Sequence, residues 1–111
     1  MYVYDEANNL AKAIKESKEY LEYKKIKQEV NSNPEMKSKI EEFEKLRYEV
    51  QLATFQGETQ NIEKTKKLEE MYQILLQDAK IKEFFDIEVR FNIMLADVNK
   101  IIGESVQDLL Q

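Results

Sequence analysis

The sequence predicts an all-α protein: an elongated antiparallel helical bundle of four or five helices, two of them long, completed by dimerisation. Three observations predict it. The 111 residues include only two Gly and one Pro, whereas a sheet protein needs turn-formers about every ten residues. Hydrophobic residues make up 42% and charged residues 35%, enough apolar side chains for a core in a chain rich in helix formers. Phe84, Ile87, Phe91, Met94, Val98 and Ile101 recur at alternating steps of three and four, the seam of a helix packed lengthwise against others. The length fits a single helical domain over residues 1–111.

The elements follow in order. Asp5 is expected to cap a first helix whose apolar face is Ala7, Leu10, Ala11 and Ile14. Val3 stands just before it as a hydrophobic staple. Two readings stand for Ser17: the cap of a second helix, or a mild bend inside one continuous helix. Tyr20, Tyr23, Ile26 and Val30 form the next stripe. Asn33-Pro34 is the clearest break, with Asn33 as N-cap and Pro34 at the first helical position, where its missing N–H costs nothing. The third helix is expected from Pro34 to about Gln56, with Met36, Ile40, Phe43, Leu46, Val50 and Ala53 as its apolar face. Gly57 is its natural terminator, because glycine accepts the left-handed conformation after a helix.

Thr59 is expected to cap a fourth helix, with Ile62, Thr65, Leu68, Tyr72, Leu75 and Leu76 following at helical spacing. Asp78 caps the fifth. That helix either ends at Gly103 or continues through it, since Val106, Leu109 and Leu110 keep the period. At 1.5 Å per residue, the third and fifth helices are each about 35 Å long. Rods of that length suit a hairpin, and pairing two hairpins closes a bundle.

The fifth helix carries the most information. Phe85, Val89, Ile93, Leu95 and Ile102 lie off its seam, and a helix apolar around so much of its circumference must be covered on more than one side. A second copy of the chain is the expected cover. Candidate core and interface residues are Phe84, Ile87, Val89, Arg90, Phe91, Ile93, Met94, Asp97, Val98 and Ile101. Glu83, Arg90, Asp97 and Glu104 fall seven apart along one edge of the stripe. Edge charges meet a facing helix and set its register, or else remain solvated at about 0–1 kcal/mol per pair.

No catalytic residue, cofactor or metal site is expected. The chain has no His and no Cys. This removes the imidazole base, the thiolate nucleophile, the soft-ligand zinc site and the iron–sulfur cluster. The carboxylates Glu41, Glu42, Glu44, Glu69, Glu70, Asp86 and Glu88 read as solvated helix faces, with a hard-cation enzyme such as a Mg²⁺ enzyme as the least favoured alternative. Seventeen basic against 22 acidic residues give a net charge of −5, which argues against nucleic acid. An RNA-associated alternative rests on Lys24, Lys25 and Lys27 with Tyr20 and Tyr23 as stacking platforms. No apolar run reaches the roughly 20 residues that span a bilayer, and MYVYDEANNL has no signal-peptide core, so a cytoplasmic protein with no membrane partner is expected.

The run Phe84-Phe85-Asp86-Ile87-Glu88-Val89-Arg90-Phe91, leading to Met94-Leu95-Ala96-Asp97-Val98 and Ile101-Ile102-Gly103-Glu104, resembles the YlbF/YmcA/YheA family of small bacterial helical proteins. The opening VYDEANNLAKAIKES and the Asn33-Pro34-Glu35 helix start resemble it too. The likeness covers nearly the whole chain and is nearest to the YheA-like branch. It implies a self-associating helical protein that acts as a regulatory adaptor toward other bacterial regulatory proteins. Relatives in the YlbF and YmcA branches act in a complex affecting competence, biofilm formation, sporulation and RNA processing, partly through cysteine-bound iron–sulfur clusters. With no Cys in this chain, cluster binding is not carried over. An RNA-processing accessory role without a cluster is the alternative function.

Overall fold

A computed structural model describes residues 1–57 and 62–110. Five α-helices follow one another: α1 (Val3–Glu16), α2 (Lys18–Asn31), α3 (Pro34–Phe55), α4 (Ile62–Leu75) and α5 (Ala79–Glu104), with a short 3₁₀ turn at Gln107–Leu109. No strand occurs among the described residues. The chain is an all-α helical bundle.

Local hydrogen bonding explains most boundaries. Ser17 separates α1 from α2: its backbone is extended (φ −69°, ψ 152°). Its hydroxyl accepts from the Tyr20 N–H at 3.1 Å and donates to the Ile14 carbonyl at 2.6 Å. One side chain thereby satisfies a free end on each helix. Asn33 caps α3, its side chain accepting from the Met36 N–H at 3.1 Å with Pro34 at the helix start. Asp78 caps α5 by accepting from Lys80 at 2.9 Å and Ile81 at 3.2 Å. Gly57 follows α3 with φ 71°, the left-handed turn that glycine adopts without Cβ strain.

Four expectations concern helix ends. Asp5 is not the cap of α1; the helix begins at Val3 with Tyr2 before it and no side-chain cap bond, and Asp5 sits in the first turn. Helical residues carry Val3 as well, so it cannot act as a staple from outside, and it is exposed. Acidic residues in the first turn, Asp5 and Glu6, still favour the helix through the dipole. Thr59, the expected cap of α4, lies outside the described residues. α5 runs through Gly103 and ends one residue later, as Ser105 and Val106 turn back to the Ile102 and Gly103 carbonyls.

The bundle divides into two compact units: Gln28–Glu83, and Met1–Lys27 with Phe84–Gln111. Within Gln28–Glu83 the buried side chains are Val30, Ile40, Phe43, Leu46, Leu75 and Ile81. Phe43 stacks on Tyr72 with ring centroids 5.7 Å apart, and the Arg47 guanidinium lies 5.5 Å from the Phe43 ring. Lys80 Nζ donates to Glu29 Oε2 at 2.6 Å.

Within the other unit, Ile26, Phe84, Phe85 and Ile87 are buried. Tyr23 lies between Phe84 and Phe91, with centroids at 6.0 and 5.1 Å. Its hydroxyl donates to Glu88 at 2.9 Å. The α1 stripe of Leu10 and Ile14 is only half-buried, and no residue of α1 is buried.

Candidate interaction surface

The unit formed by residues 1–27 and 84–111 contains an open groove of about 460 Å³ between α2 and α5. α2 contributes Lys18, Glu19 and Glu22; α5 contributes Ile87, Arg90, Ile93, Met94, Asp97, Val98 and Ile101. The Ser17 cap sets the start of α2, so Lys18, Glu19 and Glu22 fall in its first turns. Lys18 and Glu22 approach to 3.8 Å across one helical turn. On α5 the groove residues follow from steps of three, four and seven, which keep side chains on one face.

The ten candidates from the sequence separate by depth. Phe84 and Ile87 are buried in the core of their own chain. Phe91, Met94 and Val98 are half-buried. Val89 and Ile93 are each 54% exposed and Ile101 68% exposed; Arg90 and Asp97 are exposed too. The seam thus begins in the core and ends at the surface. Ile102, 52% exposed, lies outside the groove, about half a turn around α5 from Ile93. For a solvated helix, that much aliphatic surface is unfavourable at about 25 cal/mol per Å², and contiguous apolar patches mark interaction sites.

The four edge charges also separate. Glu83 lies 3.9 Å from Lys80, and Glu104 lies 4.0 Å from Lys100. Among the described residues, Arg90 and Asp97 have no ion-pair partner.

Sequence reasoning missed the opposite wall of the groove, Lys18, Glu19 and Glu22. Their only local signal is the Ser17 cap; nothing near them in sequence points to α5. Tyr20 and Tyr23, the platforms of the RNA alternative, pack against Phe91 at 6.4 and 5.1 Å. Among the described residues, no group of three or more acidic side chains is placed to hold a metal ion, and no helix is long and apolar enough to cross a membrane.

A protein of unknown function (DUF964) from Bacillus stearothermophilus has the same fold, with a TM-score of 0.83 over 98% of this chain and 96% of that one, at 15% identity. A UPF0342 protein of Symbiobacterium thermophilum is 36% identical over 104 residues, covering 94% of this chain and 93% of the relative. Another from Halothermothrix orenii is 34% identical over 102 residues, covering 92% and 86%. Residues 3–107 match the family described as Control of competence regulator ComK, YlbF/YmcA, and the chain, helical from Val3 and carrying that likeness across all five helices, belongs to this family.

Proposed function

We propose that this chain is a non-enzymatic, regulatory interaction module that works in the cytoplasm as one helical domain over residues 1–111, within the YheA-like branch of its family. It associates with itself, as a dimer, through α5 from about Val89 onward. The observation that carries this is the exposure of Val89, Ile93 and Ile101 on α5, the two isoleucines lining the groove. A single chain leaves them in water, and a second chain laid along α5 removes them from it. The family description, control of the competence regulator ComK, supports the adaptor role: such a protein acts by presenting a surface to other regulatory proteins rather than by chemistry.

Light scattering at micromolar concentration tests the association. The expected mass is twice that of the chain, falling to one chain for Ile93→Asp with helical circular dichroism retained. A wild-type protein of single-chain mass at tens of micromolar overturns the proposal.

A further inference from the structure

Building on that self-association, we propose that the second copy lies antiparallel along α5, with Arg90 of each chain facing Asp97 of the other across a two-fold axis near Ile93 and Met94. The two charges are seven residues apart on one face of α5, about 10 Å along its axis. Both line the groove. Among the described residues neither has an ion-pair partner, although Glu83 and Glu104 on the same edge each have a lysine.

Opposite charges at equivalent edge positions are self-complementary in one orientation. In a parallel in-register pair, Arg90 lies level with Arg90 and Asp97 with Asp97, and each must reach across the seam to a different edge. In an antiparallel two-fold pair, position 90 meets position 97 twice, giving two identical ion pairs. The same operation brings Ile93 beside Met94 of the other copy and so covers the exposed isoleucine. Glu83 and Glu104 also come opposite one another; their lysines offset that repulsion. Arg suits the role, since its planar fork holds a carboxylate bidentately at a partly desolvated edge.

Charge variants test the orientation. Arg90→Asp alone and Asp97→Arg alone each set like charges opposite in the homodimer, and each is expected to weaken association by about tenfold or more. Mixed in equal amounts, the two are expected to form a heterodimer with affinity near wild type, because acidic edges then face basic ones. Both residues are exposed, so helical circular dichroism should stay at the wild-type level and exclude misfolding as the cause, while the melting temperature should fall only as far as the lost association requires. The chain lacks cysteine, so single cysteines report orientation directly. Ile93→Cys, near the axis, should form a disulfide-linked dimer under mild oxidation, while Lys100→Cys should not. Cross-linking of both variants indicates a parallel pair and overturns the antiparallel assignment while leaving self-association intact. So does a wild-type dimer that neither charge reversal weakens. A wild-type chain of single-chain mass overturns both proposals.

Discussion

The Tyr23 hydroxyl donates to Glu88 Oε2 at 2.9 Å across 65 residues of sequence, while the Tyr23 ring rests 5.1 Å from Phe91. One side chain thus ties α2 to α5 twice, through a polar tip and an apolar face. The Lys27 ammonium lies 5.2 Å from the same ring. This cluster forms the α2 side of the unit that carries the groove.

Tyr23→Phe keeps the ring and removes the hydroxyl. A partly buried hydrogen bond to a carboxylate is worth about 1–2 kcal/mol, and urea denaturation should register a loss of that size. Glu88→Gln keeps an acceptor and should lose less. A double-mutant cycle over the two positions should give a coupling energy clearly above zero; additive losses would mean the bond contributes nothing in solution.

Phe84 and Phe91 share the α5 seam but not its depth. Phe84 is 3% exposed, so Phe84→Ala should cost about 3–5 kcal/mol. Phe91 is half-buried, and Phe91→Ala should cost less, about 1–3 kcal/mol. Denaturation at two protein concentrations separates folding from association: the Phe84 loss should be independent of concentration. An equal loss at both positions would contradict the burial difference.

The two glycines should respond to alanine with opposite signs. Gly57 has φ 71°, so Gly57→Ala forces a left-handed alanine and should destabilise by about 1–2 kcal/mol. Gly103 lies in the last turn of α5, where an added Cβ meets no atom within 4 Å. Gly103→Ala should stabilise by about 0.5–1 kcal/mol, since helical glycine carries that penalty. Thermal melts of the two variants bracketing wild type would bear this out.

Lys80 predicts the alkaline behaviour of the other unit. Its hydrogen bond with Glu29 is the main cause of a pKa raised above the ordinary lysine value of 10.5, with the charges of Glu29 and Glu83 adding to it against a desolvation effect that lowers it. A raised folded pKa means the charged form is favoured in the folded state. That stabilisation is present in full below the ordinary value and is lost as pH rises through the folded pKa. The difference in stability between wild type and Lys80→Met should therefore be constant through neutral pH and shrink above about pH 10.5. A difference that persists unchanged at higher pH would assign the effect to the lysine stem rather than its charge.

How much was legible depends on the range of each interaction. The caps at Ser17, Asn33 and Asp78 and the turn at Gly57 reach three residues or fewer, so their residue types announce them. Asp5 misled because an acidic residue near a helix start serves equally as cap or as first-turn residue. Gly103 was undecidable locally: its helical penalty of about 1 kcal/mol is small beside packing.

The sequence by itself determined the five helices, their order and the excess of apolar surface on the last one, because propensity, capping and periodicity act over one or two turns. Only the tertiary structure decided which part of that surface its own chain covers. Phe84, Phe85 and Ile87 are buried, while Ile93 and Ile101 on the same helix are left in water. An apolar helix contains no local record of how far along its length its neighbours reach; that choice is made by contacts such as Tyr23 with Glu88, between residues far apart in the chain.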